Sequence, residues 1–203
     1  MKEHLFQLDN PVWVFMGRIV DFVLLTGLWL LGSLPVVTVG ASTKALYTVA
    51  MRMAKNEEGY TARAFVQAFR EDFKESTLIG LAVLAAGVFL CSDLYVYWRM
   101  PGRAGVFLFT VFLVLTAVYL LTLSYLYPLM AGTEYKGMKL VFAAFVTACK
   151  NPGWALLMAL MMAGTLVVGV FVFAPLLVVG VGLAAYVQCR LTVFVTKHYH
   201  IRL

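Results

Sequence analysis

Uncharged stretches far longer than any helical or strand period dominate the chain. No Asp, Glu, Lys or Arg occurs in 22–43, 76–92, 104–133 or 151–189. The last of these runs 39 residues and would measure about 58 Å as one helix. A hydrocarbon core is only about 30 Å thick, so this stretch divides into two. Pro175 lies near its middle, cannot continue the i to i−4 ladder, and is the predicted hairpin. The pattern predicts an all-α, polytopic transmembrane helix bundle with five spans, near 12–34, 77–98, 105–127, 153–173 and 176–196. None of the runs alternates as a barrel strand would.

Composition agrees. The 203 residues are 63% apolar and 13% charged, with mean hydropathy +0.89, against roughly half apolar and a quarter charged in globular chains. A disordered chain, a collagen-like chain and a disulfide-stapled secreted domain are excluded. The size fits a single integral membrane domain over 1–203. Val39-Gly40-Ala41 before Ser42 has the form of a peptidase site, but the apolar region is too long for a signal peptide. The flank also holds Glu3 and Asp9 beside Lys2, so the segment reads as a retained first span.

Charge then sets an expected orientation. With five spans, twelve basic residues fall on one side and four on the other (Lys2, Arg18, Arg99 and Arg103). The positive-inside rule predicts an amino terminus outside and a carboxyl terminus in the cytoplasm. Tyr95, Tyr97 and Trp98 close the second span, and Tyr125, Tyr127 and Trp154 stand at the inner boundary, as interfacial aromatics do. The net charge of +6 therefore reports topology and contact with the lipid bilayer. No nucleic-acid partner is expected, since no basic groove alternates with exposed aromatics.

Three segments between spans read as cytoplasmic amphipathic helices: 38–55, 61–75 and 136–150. In the first, Lys44, Thr48, Arg52 and Lys55 share a stripe, opposite Leu46, Ala50 and Met53. In the second, Phe65, Phe69 and Phe73 recur every four residues while Arg63, Arg70 and Lys74 face away. Both patterns predict helices lying at the membrane surface, apolar face down. A shift of 76 residues aligns Phe65–Phe69 with Val141–Phe145 and Lys74 with Lys150. Each copy leads directly into a span, which suggests two like-oriented halves.

The stretch Leu34-Pro35-Val36-Val37-Thr38-Val39-Gly40-Ala41 resembles the block that ends the first span in the YesL family of bacterial membrane proteins. The Phe65–Lys74 helix, Tyr127-Pro128 and Lys150-Asn151 are similar to that family's later landmarks. The resemblance runs over essentially the whole chain. The family is a domain of unknown function whose members are commonly encoded beside carbohydrate-uptake permeases. What the resemblance implies is a membrane component linked to sugar uptake, with sugar ABC-transporter permeases as partners.

Candidate chemistry is sparse. Arg18 and Asp21, three apart on the first span, pair with each other or, with Asp93 on the second, form an outward-facing intramembrane polar site. The turn at Pro35, Thr38, Gly40 and Ala41 either receives an anionic group on backbone amides or simply reverses the chain. Arg63, Phe65, Phe69, Arg70, Phe73 and Lys74 either dock a partner or anchor a helix on lipid. Cys91, Cys149 and Cys189 are isolated and the histidines (4, 198 and 200) are terminal, so no metal, disulfide, cofactor or catalytic set is expected. The leading expectation is a non-catalytic accessory component of carbohydrate uptake. The alternative is a small solute or ion carrier or channel using the polar site.

Overall fold

The computed structural model describes residues 11–55, 57, 59–171 and 174–198; His4, Tyr199 and His200 lie outside them. Among these residues the chain is all-α, without a strand. It runs α1 (Pro11–Ser33), a single 3-10 turn (Val36–Thr38), α2 (Val39–Ala54), α3 (Thr61–Arg70), α4 (Phe73–Trp98), α5 (Arg103–Gly132), α6 (Gly137–Lys150), α7 (Pro152–Phe171) and α8 (Ala174–His198). A helix covers each predicted span. Three are long and apolar enough to cross a membrane by themselves: Met16–Ser33 within α1, α4 and α5. α6 and α7 meet at a 106° bend and make a fourth if taken as one broken span. Three to four candidate spans thus stand where the charge pattern predicts five. Pro175 does not form the hairpin itself. It is the second residue of α8, where its missing N–H costs nothing.

Two antiparallel pairs are held by named contacts. On α4 and α5, Trp98 packs on Phe109 (5.5 Å between ring centres) and Tyr97 on Phe112 (5.0 Å). Farther along, the Tyr119 hydroxyl donates to the Val83 carbonyl at 2.7 Å. On α7 and α8, Trp154 meets Phe194 edge-on, and the Gln188 amide donates to the Met158 carbonyl at 2.9 Å.

α1 and α8 are antiparallel as well. The Gly182 N–H donates to Thr26 Oγ1 at 3.1 Å, and Tyr186, one turn on, packs against Phe22. Five successive crossings would make the first and last helices parallel. Five spans are thus not confirmed among the described residues: the start of α1 and the end of α8 lie at one end of the molecule.

A correction concerns 38–55, expected on the membrane surface. α2 instead runs through the middle of the bundle, packed against α1, α3, α4, α5 and α8. Gly40 to Tyr47 and Val49 to Met51 are all buried. Even Lys44 is only 8% exposed. Its stripe of polar residues is accommodated because Lys44 finds Asp72 at 3.2 Å, at the α3–α4 corner. The Tyr47 hydroxyl donates to the side-chain oxygen of Gln188. Small residues on the other faces (Ala41, Ala45, Ala50) let the neighbouring helices close in.

Beyond this body the α4–α5 hairpin stands alone. The buried residues of α4 are Ser76, Thr77, Ile79 and Gly80, and those of α5, apart from Gly105 at the hairpin tip, run from Ser124 to Met130. From Gly80 to Trp98 the hairpin extends about 27 Å, close to a hydrocarbon thickness. Its outer surface there is apolar: Val88, Phe89, Val106, Phe107 and Val114 are all exposed.

The segment 61–75, expected as one surface helix, is α3 over Thr61–Arg70, a corner at Asp72, and the start of α4 at Phe73, and its stripe faces protein rather than lipid at Phe65 and Phe69. Phe65 is buried among α2 residues, Phe69 stacks on it and is half-buried, and only Phe73 reaches the surface. α6 packs on α5 through Leu140, Ala144 and Ala148. Its other side exposes Met138 and Phe142 beside Lys139 and Lys150, a mixed rather than a cleanly polar face.

Candidate functional site

The turn between α1 and α2 is built by hydroxyls that reach back to α1. Pro35 has an extended backbone and opens the 3-10 turn. Thr38 Oγ1 donates to the Gly32 carbonyl at 2.7 Å and to that of Pro35 at 2.9 Å. Ser42 Oγ donates to the Trp29 carbonyl at 2.8 Å, and Trp29 Nε1 donates to Thr43 Oγ1 at 3.2 Å. The bond to Gly32 satisfies a carbonyl at the end of α1 that has no helical partner, and the others tie α2 back onto α1. Gly40 permits backbone contact with Gly80, and Ala41 is buried. Each predicted motif residue thus has a folding role, and the α2 amides are enclosed by protein.

A cleft of about 330 Å³ opens at the other end of α1, where the α2–α3 connection and α8 converge. Its walls are Arg18, Asp21, Phe22, Met53, Glu57, Gly59, Thr61 and Tyr186. Arg18 and Asp21 both line it but do not pair with each other. Asp21 Oδ1 accepts from Thr61 Oγ1 at 2.7 Å, while Arg18 Nη1 donates to the Tyr186 oxygen at 3.2 Å. Arg190 Nη1 donates to that same oxygen, also at 3.2 Å. Two guanidinium groups therefore converge on one phenol oxygen.

Asp93 is not part of this site. It lies on α4, which packs on α2 and α5, and its Oδ2 is buried without a hydrogen-bond partner. Of the cleft's lining the sequence alone singled out only Arg18 and Asp21 for this site; Phe22, Glu57, Thr61 and Tyr186, and Arg190 bonded to Tyr186, it did not.

The segment from α1 through most of α4 also carries the clearest kinship. Residues 22–94 match a family model described as "Protein of unknown function, DUF624". The "Uncharacterized protein YesL" of Bacillus subtilis (strain 168) is 26% identical over 163 residues, covering 80% of this chain and 70% of that protein. These matches support a YesL-family assignment. No solved structure matches. The YesL-like segment takes in the α1–α2 turn, α2, α3 and the Gly40–Gly80 contact, along with Phe22 and Thr61 of the cleft. Arg18, Asp21 and Tyr186 of the cleft, and Arg190, which bonds Tyr186, lie outside the residues that the family model matches.

On α3 the structure separates the predicted docking residues into two sets. Phe65 and Phe69 turn inward; Arg63, Arg70 and Lys74 are exposed. None of these three cations takes part in an ion pair among the described residues. The neighbouring acidic group, Asp72, is already held by Lys136 at 3.0 Å and Lys44 at 3.2 Å. Those two ammonium groups, Lys136 first, hold the Asp72 carboxyl below its ordinary range.

Proposed function

We propose that this YesL-like chain is a non-catalytic membrane component of carbohydrate uptake that docks to an ABC-type permease through the exposed face of α3. The observation that supports docking is the division of α3. Its apolar side is spent on the bundle, leaving Arg63 and Arg70, with Lys74 just beyond, as an unpaired cationic surface. An acidic surface on a partner would complement it and speed association. The link to carbohydrate rests on the family resemblance.

The test is solubilisation from native membranes in mild detergent at native expression, followed by identification of what co-purifies. A sugar permease is expected, and it is lost when Arg63, Arg70 and Lys74 are changed to Glu. Purification without any permease overturns the reading. The carrier alternative keeps Arg18 and Asp21 in a cleft but not Asp93, which weakens a path across the bilayer. Flux abolished by Asp21→Asn in reconstituted vesicles would revive it.

We also infer that both ends of the chain face the cytoplasm. α2 runs from Gly40 beside Gly80 to Lys44 beside Asp72, away from the hairpin tip, and the start of α1 and end of α8 lie farther in that direction. Arg99 and Arg103 are the basic residues at the tip. Lys74, Lys136 and Lys139 flank the opposite ends of α4 and α5, with Arg63 and Arg70 just before them. The positive-inside rule makes that richer end cytoplasmic.

A further inference from the structure

Arg190 reaches Tyr186 one turn along α8 and Arg18 reaches it across the α1–α8 interface, so packing brings two guanidinium groups together with no counter-charge between them. Their Nη1 atoms stand no farther apart than the sum of two 3.2 Å hydrogen bonds, and like charges at that range repel. No carboxylate lies within ion-pair distance of either guanidinium among the described residues. Asp21, the nearest acidic group in chain position, is occupied by Thr61. Each guanidinium has five donors in a fixed fork, which suits the oxygens of a phosphate bridging the two.

The rest of the cleft has a different chemistry. Asp21 and Glu57 supply carboxylate oxygens that accept hydrogen bonds from hydroxyls, and Thr61 supplies a hydroxyl of its own. Phe22 and Tyr186, with ring centres 5.6 Å apart, and Met53 give an apolar wall for the carbon face of a ring or chain. The volume of about 330 Å³ lies in the range of small-molecule sites.

We propose that this cleft, with Arg190 beside it on Tyr186, binds a phosphorylated polyol, its phosphate between Arg18 and Arg190 and its hydroxyls on Asp21, Glu57 and Thr61. The same chemistry is carried by a free sugar phosphate and by the phosphoglycerol headgroup of an anionic lipid. The assignment is independent of docking through α3, whose cations lie outside the cleft lining.

The test uses the full chain in lipid nanodiscs. In phosphatidylcholine discs, glucose 6-phosphate is titrated calorimetrically beside glucose and inorganic phosphate. In mixed discs, native mass spectrometry reads retention of phosphatidylglycerol against phosphatidylcholine. Saturable glucose 6-phosphate binding, weakened about tenfold or more in Arg18→Gln and Arg190→Gln, supports the site with a soluble ligand. Selective phosphatidylglycerol retention, lost in the same variants, supports it with a lipid. If the Gln variants melt early, Arg18→Lys and Arg190→Lys keep the charge while removing the fork, and the same weakening is expected. Neither signal in the wild type, or signals unchanged in the variants, overturns the site. Inorganic phosphate binding as tightly as glucose 6-phosphate overturns the polyol assignment.

Discussion

Gly40 of α2 and Gly80 of α4 meet backbone to backbone. A Cβ placed on Gly40 would lie 2.6 Å from the Gly80 Cα and 2.5 Å from the Ser76 carbonyl oxygen. The obstacles are backbone atoms, so no side chain can swing aside. Close approach of this kind gives van der Waals contact that apolar bulk cannot supply within lipid.

Gly40→Ala is therefore expected to destabilise by about 1–3 kcal/mol through overpacking. Gly17→Ala, where an added Cβ meets nothing within 4 Å, should be neutral or gain up to about 1 kcal/mol from helix propensity. Thermal unfolding of both variants in one detergent makes the comparison. Equal melting temperatures would mean that α2 and α4 do not pack at Gly40.

Asp72 links three parts of the chain: Lys44 inside the bundle, Lys136 after α5, and the α3–α4 corner that it occupies with φ of 52°. Because its carboxyl titrates below the ordinary range, its contribution is present at neutral pH and above about 4. It is lost as pH falls through the lowered value. Asp72→Asn keeps a residue that tolerates the left-handed backbone but leaves Lys44 buried without its counter-ion. The expected loss is about 1–2 kcal/mol at pH 7, discounted for the partial exposure of Asp72. The gap between variant and wild type should close on acidification. A gap unchanged between pH 7 and pH 3 would show that the charge is not what matters.

Apolar run length was enough to locate the helices, since α1, α4, α5, α7 and α8 lie over the predicted spans. What it could not reveal was the enclosure of α2. A 16-residue helix bearing Lys44 and Arg52 reads as a surface element until Asp72, 28 positions later, is known to meet the lysine. The Phe65–Phe69 stripe was similarly legible as a face, but periodicity does not say whether lipid or protein covers it. In the cleft, Arg18 and Asp21 stood out as charges inside an apolar run. Tyr186 and Arg190 did not, because their significance comes from a contact across 168 residues.

The pairing of α1 with α8 makes a sharp statement about topology. Gly182 meets Thr26 and Tyr186 meets Phe22 and Arg18, so the residue order runs oppositely on the two helices. The start of α1 and the end of α8 therefore lie at one end of the molecule, and the inferred topology, with both chain ends cytoplasmic, is directly testable. Epitope tags at both termini should therefore be cleaved together by protease in inverted vesicles and be protected together in spheroplasts. A cysteine at the exposed tip position, Met100→Cys, should react with an impermeant maleimide from the opposite side. Tags on opposite faces, as five alternating crossings demand, would rule out the α1–α8 contact in the inserted protein and dismantle the cleft with it.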